Sequence, residues 1–530
     1  MIVCLVKPNM QDSRGGSHLT RTASGRSGAA SVSGGQPSGR LAGLYVLVFL
    51  AFLLLYGLTS QRGPAWQDSG IYQWRIWRFE LTGWLGLALA HPFLIVVGKA
   101  FQFLPLGDVA WRLNLVSAVC GAAAVANIAL LVRRLAPQRP LAAWLAAGVF
   151  GLAHTTWWLA TICESQMLLA AIFTLELNVL LSLVRRPTWR LAVVLGAVSG
   201  LGWTAHNLAL LALPAYGLTV VHLCARRRLA WWSAPLMAAA WLGGGALLLA
   251  LIGREAMDVG LSAAVHSALF GQSWRGAVLG GSAKALAMGC GYIAFNFANL
   301  ALPLAVVGLW ALRRSVPTCL KWAMTYLAAV YLLFAIRYQV PDQFMFFVPF
   351  YAIVAILAGL GSARLGDLSR WRWLPKVAAV SLALGPAIYA VAPTVWGAVH
   401  LPLPGRKDLA FRDPARYWLT PWKVDEESAR RFARAALAEA PDDGIIIADS
   451  TSYYPLLWTR RVERRGSKVQ LVLSGDATPH EIREGTPHVF VVSSLSGYCP
   501  AWLAARADLY RPEGKTLFRV LWRAKPSTRP

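Results

Sequence analysis

Long apolar runs, separated by short polar stretches rich in arginine, organise most of the chain. Runs of about 17–25 residues are long enough to cross a bilayer core of about 30 Å. They lie near residues 41–59, 112–132, 141–160, 166–184, 191–205, 207–225, 230–252, 286–312, 322–338, 343–362 and 376–396. The pattern predicts an all-α polytopic membrane protein with about eleven transmembrane helices. The shorter run 91–104, which Lys99 interrupts, predicts an interfacial or re-entrant helix.

The pattern changes near residue 397, where polar residues become frequent. The stretch DEESARRFARAALAEAPDDG predicts an amphipathic helix capped at Asp425 and stopped by Pro441. The runs GIIIADS, KVQLVLSG, HVFVVSS and LFRVLWR predict short buried strands. Alternating helix and strands indicate a small α/β domain over 397–530. Asp449 follows a strand, where α/β folds often bind ligands, although a helix N-cap is the plainer interpretation.

The first forty residues contain no hydrophobic period and are rich in Ser, Gly and Arg. This composition predicts a disordered, basic cytoplasmic tail over 1–40. No clear cleavage site follows the first apolar run, so 41–59 is expected to be an uncleaved anchor. The transmembrane part then covers 41–396.

Charge fixes the expected orientation and excludes one class of partner. Only 14% of the residues are charged, against about 25% in a soluble domain, and the net charge is +26. The basic residues fall in clusters between alternate apolar runs, as is typical of cytoplasmic loops, rather than in a nucleic-acid-binding surface. This pattern places the N-terminus in the cytoplasm and the C-terminal domain outside, with no nucleic-acid partner.

Acidic residues are rare in the membrane part and gather on the outer side. Nine occur between residues 41 and 400, and seven of them fall in or beside predicted outer loops. Histidines and arginines share that side. This combination suits an enzyme acting on an anionic lipid headgroup, with arginine for phosphate and a carboxylate for proton removal. The outer residues singled out as candidates are Asp68, Arg75, Arg78, His91, Glu164, His206, Arg337 and Asp342.

Each candidate has a structural alternative. Asp68 could cap the helix that begins in SGIYQWRIWRF, because Asp is among the best N-caps. Glu164 could pair with an arginine, and His206 could be a structural histidine. Arg75 and Arg78, one helical turn apart, could bind phosphate or extend toward lipid headgroups.

Six stretches occur in an order that resembles bacterial relatives of protein O-mannosyltransferases within the GT-C glycosyltransferase superfamily. The resemblance covers roughly residues 41–360. The matching stretches are PAWQDSG (64–70), His91-Pro92, the run 104–135, Glu164, the run GLGWTAHNLALLALPA (200–215) and the run YQVPDQFMFFVPFY (338–351).

The resemblance implies an integral membrane glycosyltransferase that takes a sugar from a polyprenyl-phosphate donor. It assigns the general base to Asp68, the second catalytic acid to Glu164, and loop histidines of the substrate site to His91 and His206. We expect Arg75, Arg78, Arg337 and Asp342 to complete that site. The alternative is a transporter or flippase for an anionic or polyprenyl-linked lipid.

The expected partners are the lipid-linked sugar, membrane lipid and an acceptor hydroxyl on an unidentified protein, lipid or glycan. No metal-ligand spacing is evident, no cofactor is certain, and a divalent metal is left open. The resemblance places the chain in a bacterial inner membrane, with the C-terminal domain in the periplasm.

Overall fold

The protein is described here from a computed structural model that covers residues 38–271, 276, 280–399, 408–464 and 468–523. Most of the predicted tail, residues 1–37, lies outside this range. The first described helix, α1, runs from Ser38 to Thr59 and coincides with the predicted anchor. The predicted division at residue 396 stays a prediction, because residues 400–407 are also outside the described residues.

Helices dominate the described part of the chain up to residue 399. In chain order they are α2 Gln67–Arg78, α3 Pro92–Gln102, α4 Val109–Leu135, α5 Pro140–Gly151, α6 His154–Ala160, α7 Ser165–Arg185, α8 Trp189–Ala205, α9 Leu213–Ala225, α10 Ser233–Gly244, α11 Ala246–Val259, α12 Leu261–Phe270, α13 Ala283–Asn296, α14 Ala301–Ser315, α15 Thr318–Arg337, α16 Val348–Asp367, α17 Leu374–Ser381 and α18 Leu384–Val399. Short 3-10 turns cover Leu87–Leu89, Asn207–Ala212, Gln343–Phe347 and Ser369–Trp371. The all-α membrane architecture is confirmed.

Fewer helices than predicted are long enough to cross a membrane. Within the described residues, seven qualify by length and composition, or up to nine if each bent helix pair counts as one span. The predicted runs 230–252 and 286–312 are bent pairs, with angles of 66° and 97° between their halves. The other two predicted spans fall on the shorter helices α5 and α8. The chain is a multi-pass membrane protein, and its exact span count stays open.

Helix α4 lies at the centre of the membrane part. It packs against α1, α5 and α7, and its residues from Leu113 to Val132 are almost all buried. Small side chains such as Ala122, Ala126 and Ala129 allow neighbouring helices to approach closely, as is usual in membrane bundles. Asp108 caps the N-terminal end of this central helix, and Asn114 and Ser117 near that end bond to Gln73 and Glu164.

Glycines in α8 allow this helix to pack closely against α10. A methyl group at Gly196 would collide with the carbonyl oxygen of Met237, and one at Gly200 would collide with that of Trp241. Gly196 and Gly200 are four residues apart and therefore lie on one helix face, the small-xxx-small pattern of closely packed membrane helices. The two helices thus pack with their backbones in contact.

The C-terminal part forms a five-stranded sheet with helices, as predicted in outline. Its strands are β1 Ile445–Ala448, β2 Gln470–Leu473, β3 Val489–Val491, β4 Ala507–Tyr510 and β5 Phe518–Trp522, in the order β2-β1-β3-β5-β4. Strand β1 pairs in parallel with β2 and β3, and β5 pairs antiparallel with β3 and β4. The four predicted strands are confirmed, and β4 was missed because ADLY lacks the apolar run of the others.

Four helices complete the C-terminal part: α19 Pro414–Leu419, α20 Ser428–Glu439, α21 Ser450–Arg461 and α22 Ala501–Arg506. The N-cap residue of the amphipathic helix is Glu427, two residues later than the predicted Asp425. The Ser428 N–H donates to the Glu426 carboxylate over 3.0 Å. Asp449 caps α21 by accepting from the Thr451 N–H over 2.9 Å, so the N-cap interpretation is confirmed.

Candidate active site

The loop between α1 and α2 holds Asp68 in a fixed position. The Ala65 N–H donates to the Gln73 side chain over 2.9 Å, and Gln73 in turn donates to Asn114 of α4 over 2.9 Å. A methyl group at Gly70 would overlap the Ala65 carbonyl oxygen, so only glycine allows the helix to pass this close to the loop. The stretch PAWQDSG is therefore held by a hydrogen bond at Ala65 and by close packing at Gly70, and it is not a free turn.

Asp68 is not the helix cap that its sequence position allowed. The N-cap residue of α2 is Trp66, without a side-chain cap bond, and Asp68 lies in the first turn of the helix. The helix N-terminus favours a negative charge at this place. Asp68 is half-buried, and its carboxylate does not cap the N-terminus of α2.

Two further carboxylates converge on Asp68. The Ser69 hydroxyl donates to Glu164 Oε1 over 2.5 Å, which joins α2 to the loop before α7. The Glu164 backbone N–H donates to the Ser117 hydroxyl of α4 over 2.9 Å. Asp342 precedes the turn Gln343–Phe347 and lies close enough for its charge to act on both other acids. The structure thus brings three of the predicted residues together.

Burial makes these acids hard to ionise. Desolvation, followed by the charge of Asp342, raises the pKa of Asp68 to about 7. Desolvation and then the charge of Asp68 raise the pKa of Glu164 well above its usual range, although the bond from Ser69 opposes this. Burial also raises the pKa of Asp342. Burial thus favours the neutral form of Glu164, while Asp68 is present in both its acid and its base form near neutral pH.

The two predicted histidines form a stacked pair beside the acids. The rings of His91 and His206 are 4.8 Å apart, and His91 meets the ring of Tyr72 edge-on at 5.7 Å. Burial lowers the pKa of His206 to about 4 and holds the pKa of His91 well below its usual range. Because His206 Nδ1 accepts from the Leu208 N–H over 3.1 Å, its proton lies on Nε2. Both rings are therefore neutral: His91 is hydrogen-bonded to the Ala205 backbone, and the His206 Nε2–H is the donor that can reach a ligand.

The three predicted arginines have different environments. Arg75 is buried, and its guanidinium donates to four backbone carbonyls, those of Glu80, Leu81, Leu89 and Ala90, over 2.6–3.2 Å. It closes the loop between α2 and α3, and one of its five N–H groups is left for an anion. Arg78 is exposed and pairs with Glu80 at 3.4 Å. Arg337, also exposed, donates to the Gly280 carbonyl over 3.1 Å.

A segment from the C-terminal part covers the carboxylates. We call residues 408–428 the closing segment. The Lys423 N–H donates to the Thr59 carbonyl over 2.7 Å, and the Thr161 hydroxyl donates to the Pro421 carbonyl over 2.9 Å. The Trp66 indole donates to the Ser428 hydroxyl over 2.7 Å. The closing segment is thereby attached to the same loops that carry Asp68 and Glu164.

Tyr417 in this segment is a site residue that the sequence did not indicate. It is buried, and the charges of Glu164 and Asp68 contribute to raising its pKa, although burial is the main cause. The Arg412 guanidinium lies 4.8 Å from the centre of its ring. Nothing local marks Tyr417, because its proximity to the acids arises only when the closing segment folds back across the membrane part. Tyr72, four residues after Asp68, could have been found from helical spacing.

The closing segment also borders a cavity of about 380 Å³. Its lining is mostly polar and includes Asp413, Arg416, Lys423, Glu426 and Arg431. Burial lowers the pKa of Lys423 to about 7. A cavity of this size and polarity has room for a small polar group such as a sugar. As for metals, the described residues contain no group of three or more His, Cys, Asp or Glu side chains placed to hold an ion.

Comparison with known proteins agrees with this architecture. Residues 87–228 match the family model for the Protein O-mannosyl-transferase TMEM260 N-terminal domain. Two crystal structures of ArnT from Cupriavidus metallidurans are similar over almost their full length. The apo form is 16% identical, with a TM-score of 0.56 over 90% of this chain and 98% of that one. The form bound to undecaprenyl phosphate is 15% identical, with a TM-score of 0.55 over 91% and 98%.

An oligosaccharyltransferase from Archaeoglobus fulgidus, in complex with zinc and sulfate, is 14% identical with a TM-score of 0.44 over 81% of this chain and 62% of that one. No curated protein sequence matches the chain. The resemblance indicated by the sequence is confirmed: the chain has the fold of ArnT and of the GT-C glycosyltransferases, and residues 87–228 match the O-mannosyl-transferase domain model.

Proposed function

We propose that the protein is a glycosyltransferase that moves a sugar from a polyprenyl-phosphate donor to an acceptor hydroxyl. The observation that carries the proposal is the convergence of Asp68, Glu164 and Asp342 beneath the closing segment, in a chain with the GT-C fold. One neighbour of that fold was crystallised with undecaprenyl phosphate, which supports a lipid of this class as donor. The charge pattern supports a site on the extracytoplasmic side, and the family resemblance supports a bacterial inner membrane, so we assign the site to its periplasmic face.

Asp68 acts as the general base in this proposal. The acceptor oxygen forms a bond to the anomeric carbon while its proton moves to Asp68. The bond between the anomeric carbon and the phosphate oxygen breaks, and the polyprenyl phosphate leaves with the electron pair. Asp68 suits the task because a pKa of about 7 leaves a large share ionised at neutral pH and makes it a stronger base than an ordinary aspartate.

The neighbouring groups position the reactants. In the neutral form that burial favours, Glu164 can donate a hydrogen bond to a sugar hydroxyl, and Ser69 fixes its orientation. The neutral His206 can donate from Nε2 to a sugar or phosphate oxygen without adding charge, and the stacked His91 holds its ring in place. For the leaving phosphate, Arg78 and Arg337 have exposed guanidinium groups, whereas Arg75 mainly holds the loop. Asp342 tunes Asp68 through its charge.

The test is donor turnover by the reconstituted full-length chain and its Asp68→Asn variant. Polyprenyl-phosphate release is measured with a panel of polyprenyl-phosphate sugars. The variant keeps the side-chain volume and removes the base, so release is expected to fall by about 10²–10⁴. The matched control is Asp367→Asn, because Asp367 is an exposed acid at the far end of α16 that pairs with Arg139.

The outcomes separate the competing ideas. Release by wild type and the control, with loss in Asp68→Asn, supports both donor and base. Equal release by Asp68→Asn would remove Asp68 from the base role. Movement of the lipid-linked sugar across the bilayer, without release from any donor, would favour the transporter alternative.

A further inference from the structure

A second cavity, of about 390 Å³, lies at the opposite end of the membrane helices. Its lining comes from the loop before α8 and the loop between α9 and α10, residues 187–190, 228–230, 232 and 233. Helix α7 begins next to Glu164 and ends at Arg185, close to this cavity in the chain. Its 21 residues span roughly 30 Å, so the cavity and the carboxylates belong to opposite leaflets.

The cavity lining is positively charged, and no acidic residue is close to the lining residues in the sequence. Arg190 and Arg228 line it, and no Asp or Glu occurs between Glu176 and Glu255. Arg228 donates to the Val184 carbonyl over 3.2 Å, which fixes the guanidinium while leaving other N–H groups available. Guanidinium groups match the geometry of phosphate oxygens, so the lining favours a phosphate ligand.

A buried hydroxyl gives an independent indication of a ligand. Ser233, the first residue of α10, lines the cavity and is fully buried. Among the described residues, its Oγ has no hydrogen-bond partner. A buried hydroxyl without a partner is costly, and such groups in folded proteins normally have one. An oxygen of a phosphate in the cavity would accept this hydrogen bond.

Two tryptophans on the rim indicate that the ligand is a lipid. The rings of Trp189 and Trp232 are 5.8 Å apart, and about half of each side chain is exposed. The Arg190 guanidinium lies 5.5 Å from the Trp189 ring centre. Tryptophan prefers the boundary between headgroups and acyl chains, where one edge is wet and the other apolar. A phospholipid headgroup would meet both the cationic lining and the aromatic rim.

We propose that this cavity binds the phosphate of an anionic phospholipid headgroup, in the leaflet opposite to the carboxylates. Arg190 and Arg228 supply the positive charge, the Ser233 hydroxyl donates a hydrogen bond, and Trp189 and Trp232 contact the start of the acyl chains. This site is independent of the proposed transfer chemistry and would hold a lipid whether or not the carboxylate site is active.

The test is site-specific photolabelling of the full-length protein in vesicles of phosphatidylcholine. A trace of phosphatidylglycerol carries a photoactivatable group near its headgroup, and mass spectrometry of chymotryptic peptides maps the label. The double variant Arg190→Gln/Arg228→Gln is compared with Arg186→Gln/Arg226→Gln, which removes the same charge from the same two loops but outside the cavity lining. Ser233→Ala removes only the buried hydroxyl.

We expect label on the 187–190 and 228–233 peptides, reduced about tenfold in the cavity variant and less than about twofold in its control. Ser233→Ala should give an intermediate loss, and unlabelled phosphatidylglycerol should compete better than phosphatidylcholine. Equal loss in both double variants would mean that only general surface charge attracts the lipid and would overturn the proposal. Competition by inorganic phosphate as strong as that by phosphatidylglycerol would overturn the lipid as the occupant and leave a free phosphate in its place.

Discussion

The ionisation of Asp68 should control how turnover depends on pH. With a pKa of about 7, roughly 10% of Asp68 is ionised at pH 6 and about 90% at pH 8. If the ionised form is the base, kcat should rise about tenfold over these two pH units and then level off. An aspartate with an ordinary pKa near 4 would give no change in this interval.

Replacing Asp342 with Asn tests the cause of the shift. The rise in pKa from 3.8 to about 7 corresponds to roughly 4 kcal/mol in favour of the neutral form, at about 1.36 kcal/mol for each pKa unit. This is an upper limit, because the half-buried Asp68 keeps some contact with solvent. Burial is the larger cause and Asp342 the second, so Asp342→Asn should move the rise in kcat to lower pH without restoring an ordinary pKa.

The assay is polyprenyl-phosphate release at saturating donor between pH 5 and pH 9, for wild type, Asp342→Asn and the remote control Asp367→Asn. The quantity compared is the midpoint of each pH profile, to which all three carboxylates contribute. A midpoint that is unchanged in Asp342→Asn, or that moves to higher pH, would refute the electrostatic reasoning. A flat profile would refute Asp68 as the titrating base.

Two substitutions in the same region should act in different ways. Gly70→Ala should lower turnover at least about tenfold, because its methyl group would overlap the Ala65 carbonyl oxygen and displace the first turn of α2, which carries Asp68. Gly57→Ala, where the methyl has ordinary space, is the control, and equal rates in both variants would contradict the argument. Arg75→Lys should lower the free energy of unfolding by roughly 2–4 kcal/mol, because an ammonium cannot reach four carbonyls. Thermal unfolding measures this, and unchanged stability with a higher donor KM would instead assign Arg75 to donor binding.

The membrane architecture could be predicted from the sequence because it depends on local composition. Apolar length and clustered arginines predict spans without knowledge of packing, and the four strands of the C-terminal part follow from their apolar runs. The bends within 230–252 and 286–312 were missed because helices on both sides of each bend are equally apolar. Hydropathy measures whether a residue tolerates lipid, and this does not change at a bend.

The candidate site was only partly accessible. Asp68 and Glu164 could be singled out because acids are rare in the membrane part, and His91 and His206 because they share the predicted outer side and match the resemblance. Their roles depend on long-range contacts that a linear pattern does not contain. The four carbonyl bonds of Arg75 and the position of Tyr417 exist only after distant loops meet.

These contacts also change how the C-terminal part should be tested. Removing residues 400–530 would separate donor cleavage from acceptor transfer if the C-terminal part were an independent cover. The closing segment instead bonds to Thr59 and Thr161 and fills space against Trp66, so its removal would expose the loops that hold Asp68. Loss of activity after truncation would therefore say nothing about the acceptor. Point changes inside the segment are more informative, because they leave these attachments in place.

The charge of the site imposes opposite demands on the proposed reaction. A polyprenyl-phosphate donor is an anion, and three ionised carboxylates would repel it. The raised pKa of Glu164 reduces this repulsion, whereas base catalysis needs Asp68 ionised. Raising the pH therefore improves the base and weakens attraction for the donor. The rise in turnover caused by Asp68 ionisation should therefore be measured as kcat at saturating donor. In kcat/KM, weaker donor binding at high pH would offset part of that rise.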